Sequence, residues 1–424
     1  MTTALDLRLQ ELKREALADC REAFVEYQDI VSYNTDKVIR AFRECRLSEH
    51  HFHGSSGYGY NDAGREKLEE IVAHVFQAPA ALVRPHFVSG THTLATVLLA
   101  LLRPQDELVA VVGAPYDTMQ SVIGTRGDAP GNLLSIGVKY REIPAPDGHY
   151  DLQAIADGIT RDTTVALIQR SRGYSARASL LPKDMRDIIR TIKEKNPRTI
   201  CFVDNCYGEF TRQQEPYELG ADIVAGSLIK NPGGGLAPTG GYVVGREDLV
   251  ERTAHQLTAP GLGAEMGSYA SGYRWFFQGL FMAPHVVGQA LMGADFAAAL
   301  FSRMGYEVSP QLGESRSDLV QSVVLRSADN MQRFCEGIQS YSPVDGFVRP
   351  IPGDLPGYSD PVIMAAGTFS QGSTIEISAD GPMRDPYVVY LQGGLVFEHN
   401  VLAAMEAARR LLAEESDGFG RMRV

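Results

Sequence analysis

The chain is 424 residues long, more than one hydrophobic core ordinarily organises, so two domains are expected. Its hydrophobic (44%) and charged (22%) fractions are those of a soluble globular protein, and a formal net charge of −12 argues against nucleic acid or an anionic membrane surface as partner. The longest apolar runs, such as residues 94–102, are far too short to span a bilayer.

In chain order, residues 5–45 carry apolar side chains at spacings of three and four and predict a helical arm. The opening Met1-Thr2-Thr3-Ala4-Leu5-Asp6 lacks the basic and apolar regions of a signal peptide. The five cysteines are odd in number and show no paired spacing, which fits a reducing cytoplasm better than a disulfide framework. A glycine- and tyrosine-rich stretch over 54–60 ends the arm, and helix resumes over 66–76. Short apolar strands then alternate with helices: Phe87-Val88 leads into an apolar helix over 94–102, and strands follow at 108–112, 138–143, 165–169, 201–204, 223–229 and 242–244. That alternation implies an α/β fold, a mostly parallel sheet with helices on both faces and its ligands beyond the carboxyl ends of the strands. After a helical stretch at 283–304 the composition shifts. Segments 308–326 and 331–341, a Pro- and Gly-rich stretch at 344–360, a strand at 373–377 and a last helix over 394–414 predict a smaller C-terminal α+β domain, with a loose tail at 415–424. The expected division is an arm (1–50), an α/β domain (51–290) and a C-terminal domain (291–424).

The motifs fall at the predicted strand ends. The apolar run after Asp222 places Ser227 three residues before Lys230 and ends in Gly233-Gly234-Gly235. A lysine after a strand is usually a surface residue. Held among apolar neighbours it loses solvation, its pKa is expected to fall, and its amine becomes fit to form a Schiff base. The strand at 201–204 ends in Asp204, which would ordinarily be a cap or loop residue. In a pyridoxal phosphate (PLP) enzyme such an acid keeps the pyridine nitrogen protonated. Ser89-Gly90-Thr91 opens a helix and is a ready anion site, although small residues at an N-cap are commonplace. Tyr116 follows the next strand, where it could lie on a cofactor ring or merely pack. Cys201 and Cys206, and His50, His51 and His53, fit no usual metal signature, so no metal site is expected.

In that order the chain resembles a fold-type I PLP enzyme of the cystathionine and methionine lyase group, and more closely the methionine γ-lyase-like family labelled aluminium-resistance proteins. The residues that carry the resemblance are His53-Gly54-Ser55-Ser56-Gly57-Tyr58-Gly59-Tyr60, Val88-Ser89-Gly90-Thr91-His92, Pro115-Tyr116-Asp117-Thr118 and Gln169-Arg170-Ser171-Arg172-Gly173-Tyr174. They continue in Val203-Asp204-Asn205-Cys206-Tyr207-Gly208-Glu209-Phe210, Gly226-Ser227-Leu228-Ile229-Lys230-Asn231-Pro232, Ala283-Pro284-His285 and Ser378-Ala379-Asp380-Gly381-Pro382-Met383-Arg384.

The resemblance implies that Lys230 carries PLP as a Schiff base and moves protons. It implies that Gly90, Thr91 and Ser227 bind phosphate, that Asp204 faces the pyridine nitrogen, and that Tyr116 stacks on the ring and acts as an acid. Arg384, Tyr58 and Arg170 are the expected substrate-binding residues, with Arg384 on the α-carboxylate. Lyases of the group complete the phosphate site with a Tyr-x-Arg pair from the neighbouring subunit. This chain has Tyr58-Gly59-Tyr60 there, so Tyr58 and Tyr60 are the expected cofactor-binding pair; Tyr60 donates a hydrogen bond but no charge, the arginine is absent, and Arg170 or Arg172 is the expected source of the lost charge. Ile229 also stands where the lyases commonly carry threonine.

The implied activity is elimination of a β- or γ-substituent (thiol, halide or similar) from a small L-amino acid, in a homodimer or homotetramer with shared active sites. The alternatives are a PLP-dependent aminotransferase, a synthase that replaces the γ-substituent, and a PLP-binding or metal-tolerance protein without turnover.

Overall fold

The computed structural model describes residues 3–175, 177–354 and 360–421. The chain divides into two compact units, one of Ser32–Pro284 and one that joins the chain up to Val31 with the chain from His285. The expected single arm is two helices, α1 (Ala4–Asp19) and α2 (Arg21–Glu44), parted at Cys20. A capping box starts α1: the Thr3 hydroxyl accepts the Asp6 N–H at 3.1 Å and the Asp6 carboxylate accepts the Thr3 N–H at 3.0 Å. Leu9, Leu12 and Ala16 then bury one face of α1 in the same core as the C-terminal residues.

In the Ser32–Pro284 unit, α3 (Ala63–Val75) precedes β1 (Ala80–Arg84), and α4 (Gly90–Leu101) follows. The sequence pointed to a strand at Phe87-Val88. There Phe87 N–H instead turns back to Arg84 C=O, Phe87 enters the core, and Val88 is left exposed. The strand signal of β1 was masked by its two alanines and terminal arginine, whose guanidinium is buried against Glu69 of α3 at 3.0 Å.

The remaining strands of this unit are β2 (Glu107–Ala110), β3 (Lys139–Glu142), β4 (Thr163–Gln169), β5 (Ile200–Asp204), β6 (Ile223–Ser227) and β7 (Gly241–Gly245), in the order β1-β7-β6-β5-β4-β2-β3. β7 runs antiparallel to both its neighbours, and the pairings from β6 to β3 are parallel. Every residue of β5 and β6 is buried, as expected of strands covered on both faces. Leu94, Val97, Leu98 and Leu101 of α4 pack into the core that holds Phe202, Ile223 and Val243. Truncating one such leucine to alanine costs roughly 2–5 kcal/mol. Register brings the polar strand ends together, since Gln169 pairs with Asp204 and Asp204 with Ala225.

The other unit holds an antiparallel sheet of β8 (Glu307–Ser309), β9 (Gln321–Val324), β10 (Val362–Ala365), β11 (Ser378–Pro382) and β12 (Val388–Gln392), ordered β10-β11-β12-β9-β8. The strand expected at 373–377 lies at 378–382 instead. The preceding backbone is committed elsewhere: the Glu376 carboxylate accepts the Phe369 and Ser370 N–H groups, and Ile375 C=O accepts Gly394 N–H. The last helix runs Phe397–Arg421, and residues 422–424 of the expected loose tail lie outside the described residues. All five cysteines are buried and unpaired, and no helix among the described residues is long and apolar enough to cross a membrane.

Candidate active site

Three chain segments converge past the strand ends. Ser89 caps α4, its hydroxyl accepting the His92 N–H at 3.0 Å, so the N–H groups of Gly90 and Thr91 belong to the first turn and have no intrahelical acceptor. Glycine at 90 permits a close approach. A Cβ there would stand 3.3 Å from Ser227 Cβ, 3.6 Å from Cys206 Sγ and 3.9 Å from Lys230 Cε. Ser227 is the last residue of β6, and its buried hydroxyl has no hydrogen-bond partner among the described residues. Lys230 follows three residues later, with its backbone N–H turned to Ser227 C=O at 3.4 Å and its Nζ 3.7 Å from the centroid of the Tyr207 ring.

Asp204 ends β5 and accepts the Cys206 N–H at 3.1 Å. Burial, opposed by Cys206 and by the Lys230 charge, raises its pKa. Tyr116 is held by a hydrogen bond from its backbone N–H to Gln169 Oε1 at 2.9 Å, and its hydroxyl lies 3.2 Å from Thr91 Oγ1, which in turn lies 3.0 Å from Thr118 Oγ1. A row of hydroxyls thus runs from the α4 terminus to the phenol.

One electrostatic expectation is corrected, and one group is newly characterised. Burial by itself depresses the Lys230 pKa, but Tyr207, Cys206 and Asp204 outweigh it, and the net shift is upward. Lys230 is therefore an ammonium at neutral pH in this setting. Tyr116 is pushed well above the usual phenol range, first by burial and then by Asp204 and Cys206, so it keeps its proton.

The structure gathers Gly90, Thr91, Tyr116, Asp204, Ser227 and Lys230 but not every expected residue. Arg170 is a correction. Its guanidinium is fully buried, donating to Asn205 Oδ1 at 2.7 Å, to Thr211 Oγ1 at 3.3 Å and to Glu215 at 3.4 Å, so it supports the Asp204–Gly208 turn from within the core. Arg172 is also buried, with its Nε donating to Arg177 C=O at 3.1 Å. Tyr58 and Tyr60 are exposed by 68% and 57% on a loop braced by Arg65, which donates to Gly59 C=O at 2.7 Å. Arg384 belongs to the other unit, in the turn between β11 and β12, where it pairs with Asp360 at 3.0 Å. Among the described residues no group of three or more His, Cys, Asp or Glu could hold a metal ion.

The sequence reading gave no role to Gln169, Cys206, Tyr207 or Thr118. Cys206 and Tyr207 sit inside a motif directly after a strand ending in acid, and that position was the available signal.

These residues fit PLP. A phosphate needs donors at a helix start, and the Ser227 hydroxyl is buried beside that start without a partner. A protonated pyridine needs a desolvated carboxylate, and Asp204 is one. An anionic cofactor also finds the Lys230 ammonium beside both.

The sheet order and the helix start define an α/β fold of the fold-type I kind, with Lys230 standing past the end of β6. The chain belongs to the methionine gamma-lyase family, whose sequence profile matches residues 9–412, and by family it is an enzyme of the PLP-dependent carbon–sulfur lyase type. A carbon–sulfur lyase involved in aluminum resistance from Clostridium novyi NT is 45% identical, with a TM-score of 0.92 over 95% of this chain and 96% of that one. The Bacillus subtilis protein YnbB is 44% identical over 409 residues, 96% of this chain and 97% of its own length. The fold also extends to the PLP-dependent protein YhfS of Escherichia coli, at a TM-score of 0.60 and 19% identity over 92% of this chain and 97% of that one.

Proposed function

We propose that this enzyme eliminates a β- or γ-substituent, a thiol or a similar leaving group, from a small L-amino acid, with Lys230 as the residue that carries PLP. The observation that carries the reading is the convergence of Lys230, the orphaned Ser227 hydroxyl and the Gly90 helix start within van der Waals reach of one another. Bound PLP supplies an electron sink for a carbanion at the substrate Cα.

The chain's own residues do the rest. The Gly90 and Thr91 N–H groups and the Ser227 hydroxyl bind the phosphate, and the α4 dipole favours its charge. Asp204 accepts a hydrogen bond from the protonated ring nitrogen and thereby keeps that proton in place. Tyr116, fixed through Gln169 and Thr91, lines the ring and, as a phenol that keeps its proton, is the acid for the departing group. Lys230, which gives up its own proton when it takes up PLP, would be a neutral amine once freed from the cofactor, and would then take the Cα proton at its Nζ and hold it as an ammonium. The resemblance alone makes Arg384 the candidate for the α-carboxylate, which its planar fork suits. The exposed pair Tyr58 and Tyr60 suits a role at a neighbouring copy's site, in a homodimer or homotetramer. Five buried, unpaired thiols suit a reducing cytoplasm.

The test is a panel of L-amino acids with β- and γ-leaving groups, scored for 2-oxo acid, ammonia and the released group. Equimolar release of all three supports elimination. A single-turnover transfer of the amino group to the cofactor supports transamination, and exchange of the substituent with an added thiol supports replacement; either overturns the proposal. Failure to take up PLP overturns it outright.

A further inference from the structure

One residue against the Lys230 amine, Tyr207, is left without a task by the proposed chemistry. Tyr207 has φ +70°, in the left-handed region that an aromatic residue seldom occupies, and this conformation turns its ring to Lys230 Nζ, 3.7 Å from the centroid. Its neighbours hold that conformation in place. Gly208 N–H returns to Asn205 C=O at 2.8 Å and Cys206 N–H is held by Asp204. The Asn205 amide donates to Glu215 at 3.1 Å and to Tyr242 OH at 3.2 Å, while Arg170 lies so close under Gly208 that a Cβ there would stand 2.3 Å from Arg170 Cδ. On the other side, Asn231 Nδ2 donates to Glu209 C=O at 2.9 Å and ties the residue after the lysine to the same segment. Strain that its surroundings hold this firmly, beside a reacting atom, points to a use.

We propose that Tyr207 is a positioning residue for the lysine, its ring being the seat on which Lys230 Nζ rests as an ammonium while it holds the substrate Cα proton. The proposal rests on the reading of Lys230 as the carrier lysine. A desolvated ammonium is attracted by the face of an aromatic ring. The seat therefore stabilises the protonated lysine after it has left the cofactor and delays its return until the proton has been handed on. The titratable groups that face Lys230 are Tyr207, Cys206 and Asp204, all from the segment at the end of β5, and the facing terminus of α4 contributes uncharged Gly90. The upward shift of Lys230 comes from the charge and hydroxyl hydrogen bond of Tyr207 and from Cys206 and Asp204, and the ring contact acts beside them.

The experiment uses the full chain, freed of cofactor, and follows its uptake of PLP by visible absorption from pH 7 to pH 9. Only a neutral amine attacks the aldehyde, so the rate reports the lysine's protonation. Tyr207→Gly removes the ring and suits the backbone, so its lysine should deprotonate about one pH unit lower and capture PLP roughly tenfold faster at pH 7. Tyr207→Phe keeps the ring but loses the hydroxyl that hydrogen-bonds Lys230, so its profile should fall between those of the wild type and Tyr207→Gly. The pH profile of kcat should shift further in the Gly variant than in the Phe variant. A wild-type profile for Tyr207→Gly, or an equal shift in Tyr207→Phe, overturns the seat. The carrier reading fails separately if Lys230→Ala takes up PLP with the same band and rate as the wild-type chain.

Discussion

Among the fully buried arginines, Arg316 in one unit and Arg170 in the other are compensated in different ways. In the C-terminal unit Arg316 meets the carboxylate of Asp295 and the amide of Gln321, and Tyr27 OH donates to the same carboxylate at 2.7 Å. Burial would depress the Arg316 pKa, but Asp295, with Tyr27 and Asp318 acting in the same direction, overrides it and the net shift is upward. In the parallel-sheet unit Arg170 faces Glu215 directly and Glu209 at longer range, and its net shift is downward, with burial dominant. Two acids, Glu215 and Glu209, and a second cation, Arg212, act on Arg170 there. Burial pushes Glu209 up to about 8, although Tyr242 OH donates to it at 2.8 Å. This cluster lies under the turn that holds Asp204 and Tyr207.

The contrast is broken most severely at the arginines. Arg170→Ala leaves buried acid without its cation, so about 3–5 kcal/mol of stability should be lost, and the Asp204–Gly208 turn should loosen with it. Chemical denaturation together with PLP uptake would read both losses. Arg316→Ala should cost about as much stability. It should leave the rate of PLP uptake by the folded fraction unchanged, and a slowed uptake would show that the two clusters do not differ in the way described.

A smaller effect separates the clusters by pH. Glu209 is an acid whose pKa in the folded chain, about 8, lies above its ordinary value of 4.5. The folded state therefore keeps a proton that the unfolded chain has lost, and stability falls as pH rises from about 4.5 to about 8, by at most roughly 1.4 kcal/mol per pH unit. Glu209→Gln mimics the protonated acid and should flatten this slope in unfolding midpoints taken between pH 6 and pH 9. An unchanged slope would assign the surplus proton elsewhere. The mildest change is Ser227→Ala, which should weaken PLP binding roughly tenfold, as measured by equilibrium titration, with little change in the stability of the cofactor-free chain.

Much of this was legible in the sequence because the relevant physics is local. An apolar run of five residues buried on both faces reads as a strand, and the polar residue that ends it must stand at the sheet's edge. Asp204, Ser227 and Lys230 were found in this way. Ser89, Gly90 and Thr91 were found because a capping serine before an apolar helix marks a helix start. β1 was missed because its alanines carry little strand signal and its partner β7 lies about 160 positions away.

The sequence by itself therefore determined the α/β class, the family and the residues that crowd the strand ends, since each is written within a few consecutive positions. Only the tertiary structure decided what those residues experience. Arg170 and Asn205 are 35 residues apart in the chain, yet their contact turns an expected ligand arginine into a buried support. Whether Lys230 shifts down or up depends on Asp204, Cys206 and Tyr207 arriving from another strand. Burial and neighbouring charge set a pKa, and both are properties of the packed chain.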